Sequence, residues 1–285
     1  MIKKKKNALI FGISGQDGVY LASYLLGKGY KVAGTTRDKS KKNLSRLTRL
    51  GIFKKVNIHK GEATNNFFCK KIINKQINEI YYLAGDSSVV RSFDHPQQSL
   101  QSNTIGILNI LEIIKKNKLK TKVFNSGSGQ FYGDNKKNKY HLESKIEPQS
   151  PYGVSKAAGY WLTKIYREKY DLFCCTGVLF NHESVLRSKE FVTKKIIDTA
   201  KKITKNKNVK LRLGNINIYR DWGWAPEYVE AFWLMLQKQK AEDLIIGSGT
   251  VHSLKEFVEE VFKLQKINKN NLVSNVKQFK RKLDI

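Results

Sequence analysis

Along the first 180 residues, short apolar runs alternate with longer stretches in which apolar positions recur at helical spacing. That is the pattern of βα units winding a parallel sheet: strands covered on both faces are continuously apolar, and the helices that cover them are amphipathic. The pattern predicts strands near 8–13, 31–35, 56–59, 79–84, 121–126 and 172–179, with helices near 17–28, 43–50, 64–76, 97–117 and 153–170. Residues 104–114 are apolar on most faces, so this helix is expected either in the core or in a subunit interface. Past residue 180 the alternation stops, and helices (189–204, 226–238, 253–265) mix with short strands (209–213, 243–246) and loop. The expected class is α/β, a doubly wound parallel sheet over 1–180 followed by a smaller C-terminal lobe over 181–285. From Asn268 to Ile285 the chain is polar and basic, a helix or a frayed tail.

Charge changes this picture little. The 285 residues carry 53 Lys and Arg against 24 Asp and Glu, a formal net charge of +29, which raises the question of a polyanionic partner. The lysines are scattered through nearly every segment beside many asparagines, and apart from Lys3 to Lys6 there is no long basic tract. No recognition helix, aromatic stacking motif or zinc spacing accompanies them, so no nucleic-acid partner is expected. Cys69, Cys174 and Cys175 form neither a metal-ligand spacing nor a disulfide framework, which points to a reducing compartment and to no metal. Ala8 to Ile13 is too short for a secretory segment and no stretch reaches transmembrane length, so the expectation is a cytoplasmic protein with no membrane partner.

The chemistry begins where the first strand ends. Gly12-Ile13-Ser14-Gly15-Gln16-Asp17-Gly18 places Gly-x-x-Gly-x-x-Gly between a strand and an amphipathic helix. Glycines there let the backbone approach a pyrophosphate, whose charge is met by amide N–H groups and the positive end of the helix. This makes 1–180 a Rossmann-type dinucleotide-binding domain. At the end of the second strand an acid bonds a ribose 2′-hydroxyl and a base pairs with a 2′-phosphate, and Arg37-Asp38 offers one of each, so the cofactor is read as NAD, alternatively NADP. Glu62, just after the third strand, is placed to bond an adenine amino group.

Tyr152-Gly153-Val154-Ser155-Lys156 opens a helix, where four-residue spacing stacks both polar side chains on one face. An ammonium beside a phenol favours the phenolate, so the tyrosine can take a hydroxyl proton while hydride leaves the same carbon. Beyond the fifth strand, in Asn125-Ser126-Gly127-Ser128-Gly129-Gln130, Ser128 is placed to hydrogen-bond the reacting oxygen, with Gln130 two residues on.

With these residues in place, the chain from about 8 to about 258 resembles the GDP-mannose 4,6-dehydratase family of extended short-chain dehydrogenases. The further blocks that carry the resemblance are Tyr82-Leu83-Ala84-Gly85, Ser150-Pro151-Tyr152-Gly153, Leu179-Phe180-Asn181-His182-Glu183-Ser184, Phe191-Val192-Thr193, Leu213-Gly214-Asn215 and Arg220-Asp221-Trp222-Gly223. The resemblance implies that Gly12, Gly15, Gln16, Asp17, Gly18, Arg37, Glu62, Ala63, Leu83, Ala84, Gly85, Tyr152 and Lys156 meet the cofactor. It also puts His182 and Arg187 by cofactor and substrate. Ser87, Asn181, Val192, Lys195, Leu213, Gly214, Asn215 and Arg220 would hold a GDP-sugar, cations neutralising the diphosphate and asparagines reading its polar edges. Relatives pair the helix near 104–114 and the helix after Tyr152 in a four-helix interface, which implies a homodimer.

Two positions depart from the family pattern. Asp86 stands where relatives carry an amide. Gln130 stands where dehydrating members carry the glutamate that removes the C5 proton, and an amide is no base near neutral pH; losing a general base typically costs about 10²–10⁴-fold. Ser128, Tyr152 and Lys156 are intact. The expectation is therefore oxidation at C4 of a GDP-linked manno-configured sugar, a GDP-manno-heptose, to the 4-keto sugar without dehydration, with an external hydride acceptor. The alternatives are a 4,6-dehydratase with Glu143 or a water as base, a 4-keto reductase or epimerase, and an idle nucleotide-sugar binder.

Overall fold

A computed structural model describes residues 5–133 and 139–275. The chain divides into two compact units, Met1–Phe180 with Ala225–Ile246, and Asn181–Trp224 with Gly247–Ile285. The first unit begins as strictly alternating strand and helix: β1 (Asn7–Phe11), α1 (Gln16–Gly27), β2 (Lys31–Thr36), α2 (Ser45–Arg49), β3 (Asn57–Lys60), α3 (Asn66–Ile72) and β4 (Glu79–Tyr82). The short helices α4 (Val89–Asp94) and α5 (Pro96–Leu100) lead through a π turn at Gln101–Ile105 into α6 (Gly106–Lys116). Then come β5 (Lys122–Ser126), the long α7 (Pro151–Tyr170) and β6 (Cys174–Leu179).

Every strand pairing in this unit is parallel, and the sheet runs β3-β2-β1-β4-β5-β6 with one further strand beyond β6. The chain moves outward from β1 on one side, then restarts on the other with β4. The gap between the carboxyl ends of β1 and β4 is thus the switch point, where open α/β sheets take their ligands. The apolar helix α6 is accounted for by the core of its own unit: Ile107, Ile110, Leu111 and Ile114 are sealed against β-strand residues including Leu9, Ile80 and Val123.

Two expectations need correction. Helix 97–117 is interrupted by the π turn, where the Tyr82 hydroxyl donates to the Ser102 carbonyl and Asn103 Nδ2 donates to the Asp86 carbonyl of the preceding loop at 3.1 Å. A side chain on the Ser102 carbonyl competes with the regular ladder, and π turns gather at functional sites. The second correction concerns residues 225–246, which the sequence reading put in the C-terminal lobe. They return to the first unit, supplying α9 (Ala225–Gln237) and the seventh sheet strand, β10 (Leu244–Ile246). There Phe232 stacks on Phe124 at 4.4 Å between centroids, and Trp233 Nε1 donates to the Tyr30 hydroxyl at 3.0 Å.

Preceding α9 in the chain are the elements of the second unit: β7 (Asn181–Glu183), α8 (Val192–Lys205), β8 (Leu211–Arg212) and β9 (Tyr219–Trp224). It is completed by β11 (Val251–Ser253), α10 (Leu254–Leu264) and β12 (Leu272–Val273). Strand β9 pairs parallel with β7 and antiparallel with β11, while β8 and β12 form a two-stranded ribbon. Ile196 and Ile203 of α8 pack with Leu254, Val258 and Phe262 of α10 in a core separate from that of the sheet. Of the basic stretch 268–285, the expectation for 276–285 lies outside the described residues, as do Lys3 and Lys4. No helix among the described residues is long and apolar enough to cross a membrane.

Candidate active site

The turn after β1 is built by exclusion of side chains. Gly12 adopts φ +88°, and a Cβ there would lie 2.9 Å from the Ala84 amide nitrogen. A Cβ on Gly18 would sit 2.3 Å from the Gly12 carbonyl oxygen, so α1 can start close beneath the turn only with glycine at that position. Gly15 is the N-cap of α1, so the turn runs directly into the positive end of the helix dipole. The turn is tied to the next loop, since Asn43 Nδ2 donates to Thr36 Oγ1 at 2.8 Å and Arg46 Nη1 to the Ser14 carbonyl at 3.2 Å. At the end of β2 Arg37 is exposed, and both Asp38 oxygens accept from Ser40, its N–H at 2.7 Å and its hydroxyl at 2.6 Å. These residues fit a dinucleotide: a cradle that any side chain would fill, the positive end of a helix beneath it, and Leu83 and Ala84 of the loop after β4 lying against Gly12.

Of the two residues that depart from the family pattern, Asp86 has a structural role. Its Oδ1 accepts the Ser88 N–H at 3.2 Å and its own N–H reaches Ser102 Oγ at 3.2 Å, so it shapes the loop that carries Ser87.

Tyr152 and Lys156 lie in the first turns of α7, which the sequence starts sharply: Ser150 accepts the Gly153 N–H at 3.0 Å and Pro151 occupies the first helical position. Both side chains are buried. The Lys156 ammonium donates to the Ser126 carbonyl at 2.8 Å and Ser126 Oγ at 3.3 Å, and stands 5.9 Å from the centre of the Tyr152 ring. Burial pushes its pKa down to about 8, a shift partly offset by the negative charge of Asp17. Asn125 pins the helix to the sheet through bonds from Nδ2 to the Gly159 carbonyl at 3.2 Å and Thr163 Oγ1 at 3.1 Å.

Ser128 is buried at the head of a tight turn, where its hydroxyl accepts the Gln130 N–H at 3.2 Å. A Cβ on Gly153 would lie 2.8 Å from the Gln130 carbonyl oxygen, so the Ser128–Gln130 turn rests directly on the first turn of α7. Sequence reasoning thus named four residues that the fold gathers at one end of the sheet: Ser128, Gln130, Tyr152 and Lys156. It missed Asn125 and Ser126, although both stood in the quoted strand end. Glu143 is exposed, and its charge acts on Tyr132 and Tyr160. Glu62 accepts from the Thr64 hydroxyl at 3.1 Å, and Ala63 beside it is buried.

The remaining residues belong to the second unit. Asn181 and His182 lie on β7, Val192 and Lys195 open α8, and Lys195 Nζ donates to the Arg212 carbonyl at 2.8 Å. Burial lowers the Lys195 pKa. Leu213 is sealed in the core and its N–H donates to the Val273 carbonyl at 2.9 Å, which leaves neither its side chain nor its N–H to a ligand; Gly214 and Asn215 follow it, and Arg220 lies on β9. Glu183, Phe191 and Thr193 enclose Arg187 and were not singled out from the sequence, though each stood in a quoted block.

Comparison with known proteins agrees with this geometry. A family model described as GDP-mannose 4,6 dehydratase matches residues 9–284. The chain is 40% identical over 271 residues to the human GDP-mannose 4,6 dehydratase, covering 92% of this chain and 73% of that protein. To the Vibrio cholerae GDP-mannose 4,6-dehydratase it is 36% identical over 263 residues, covering 90% and 71%. Among solved structures it is similar in fold to a dTDP-glucose 4,6-dehydratase from Bacillus anthracis in complex with NAD, with TM-score 0.82, 22% identity and 94% and 84% of the two chains covered. A UDP-glucose 4-epimerase from Thermotoga maritima gives 0.83, 20%, 96% and 88%. The curated relatives at this level of identity carry dehydratase names, which overturns the expectation of C4 oxidation without loss of water and, with it, the need for an external hydride acceptor. Nothing in these relatives favours a heptose.

Proposed function

Since the chain belongs to the GDP-mannose 4,6-dehydratase family, we propose that it removes water from GDP-mannose to give the 4-keto-6-deoxy sugar. Tyr152 takes the proton of the C4 hydroxyl, the Lys156 ammonium stabilises the phenolate it needs for this, and the Ser128 hydroxyl donates to O4. NAD or NADP, held at the Gly12–Gly18 turn, would supply reversible hydride chemistry, so the overall reaction would consume no oxidant. The C4 ketone acidifies the C5 hydrogen, and its removal expels the C6 hydroxyl. With an amide at Gln130 and Glu143 turned to the surface, the C5 proton passes to water, which makes elimination the slow step.

The observation that carries this reading is the buried Lys156 held beside Tyr152, with the Ser128 turn resting on the same helix start. We assign the GDP moiety to Asn181, Val192, Lys195, the Leu213 backbone, Gly214, Asn215 and Arg220, with Ser87 at the sugar and His182 and Arg187 by cofactor and substrate. We also propose a homodimer, supported by the exposed Val154, Trp161 and Ile165 on one face of α7 and by Leu100 and Ile105 nearby in sequence on the α5–α6 rod. Incubation with GDP-mannose and either nicotinamide dinucleotide, followed by mass spectrometry, tests the function: the product should be lighter by one water. Recovery of unchanged substrate or of a product lighter by two hydrogens alone would refute it.

A further inference from the structure

Glu183 ends β7 and its side chain is largely enclosed, 18% exposed, as is that of Arg187 at 16%. The carboxylate Oε2 accepts the Thr193 hydroxyl at 2.8 Å, which anchors it to the first turn of α8. Arg187 Nε lies 3.1 Å from the same oxygen, off the N–H direction, so the contact is an ion pair rather than a hydrogen bond. On its face the guanidinium lies 3.4 Å from the centre of the Phe191 ring. The loop between is folded tightly, with Leu186 N–H on Ser184 Oγ at 3.0 Å, Arg187 N–H on the Ser184 carbonyl at 3.1 Å and Phe191 N–H on the Ser188 carbonyl at 3.2 Å.

A guanidinium is planar and offers five donors in a fixed fork. Here one face is covered by an aromatic ring and the Nε edge is anchored by a carboxylate. What remains are the two Nη groups, held in one orientation. An unrestrained arginine gives up rotamer freedom when it engages a ligand, and prior fixation removes much of that loss.

We propose that Glu183 is a positioning residue that holds the Arg187 guanidinium so that both Nη groups meet a diphosphate together. This rests on the assignment of Arg187 to ligand binding made above. A diphosphate is common to the sugar nucleotide and to the dinucleotide, and the two are separated by titrating GDP and NADP independently.

The sign of the effect separates positioning from simple electrostatics. A carboxylate near a bound diphosphate repels it, so if Glu183 acted only through its charge, removing it would tighten anion binding. Positioning demands the reverse. Glu183→Ala should weaken the binding of one of the two nucleotides roughly tenfold, with Glu183→Gln recovering part of the loss because its amide oxygen still accepts from Thr193. In an Arg187→Lys background, which keeps the charge but not the planar fork, Glu183→Ala should have little further effect. Thermal unfolding of each variant identifies loss of fold, and Thr193→Val reports the hydroxyl bond alone. Unchanged or tighter binding of both nucleotides in folded Glu183→Ala, or additive losses in the double variant, would overturn the proposal. Nucleotide affinity is read without turnover, so coupling between Glu183 and Arg187 in a protein that fails to dehydrate GDP-mannose would count against the proposed reaction and not against this inference.

Discussion

Replacing Lys156 by methionine should separate the stability of this site from its chemistry. The side chain is buried, and its pKa falls from 10.5 to about 8, chiefly through loss of solvation. A fall of that size corresponds to about 3 kcal/mol by which burial of the charge disfavours the folded state. Against this stand the bonds to Ser126, at 2.8 and 3.3 Å, whose loss leaves buried acceptors unpaired at a cost of about 1–3 kcal/mol. Lys156→Met should therefore fold at neutral pH with stability equal to the wild type or above it by up to about 2 kcal/mol. The pH dependence has a definite sign. Below pH 8 the lysine is charged in both states and the folded chain bears the full penalty; between about 8 and 10.5 the unfolded chain binds more protons than the folded one, so wild-type stability rises with pH; above 10.5 the penalty is gone. Urea denaturation across that range should show the wild type gaining about 3 kcal/mol on the variant, because other titrating groups cancel in the difference. Turnover of GDP-mannose should fall about 10²–10⁴-fold, since the phenolate loses its cation. A variant strongly destabilised at pH 7, with a difference that does not change up to pH 10.5, would refute the reasoning.

Tyr152→Phe removes only the hydroxyl, so product formation should fall below detection while cofactor affinity by calorimetry changes less than about threefold. Gln130→Glu restores a carboxylate beside Ser128 and should raise both product formation and exchange of the C5 hydrogen with solvent deuterium by about 10²-fold or more, read by mass spectrometry; no gain would place the side chain away from the sugar. Arg167 binds Asp243 in a two-pronged pair at 2.8 and 2.6 Å, and Asp243 Oδ1 also accepts the Thr176 N–H at 2.7 Å. Asp243→Ala leaves a partly buried guanidinium unpaired and should lower the unfolding free energy by about 3–5 kcal/mol in urea, whereas an effect below 1 kcal/mol would show that the pair is well solvated.

The parts of this molecule that were legible in the sequence are those set by local rules. Strands β1, β2, β4, β5 and β6 announced themselves because strands covered on both faces are rich in apolar residues, and the glycine turn because Gly12 and Gly18 sit where no side chain fits. The first strand was nevertheless drawn two residues too long. Gly12 and Ile13 are apolar in pattern, but the positive φ of Gly12 turns the chain out of the sheet. What was not legible depends on contacts distant in sequence. Residues 225–246 look like the surrounding lobe until Phe232 is seen to stack on Phe124, and Tyr82 opens the π turn from 20 positions away. Strands of three residues such as β7 and β11 carry no period at all. At the site, Tyr152 and Lys156 were readable from helical spacing, but the burial that lowers the lysine's pKa, the Asp17 charge that partly offsets it, and the Ser126 oxygens that hold its ammonium converge only through the fold.

GDP-mannose carrying deuterium at C4 provides the most direct test. If Tyr152, Lys156 and Ser128 oxidise C4 and the hydride is returned within the same active site, the product will have lost one water and will carry the deuterium at C6. Deuterium released into the free cofactor pool, with the sugar retaining its C6 hydroxyl, would contradict the account.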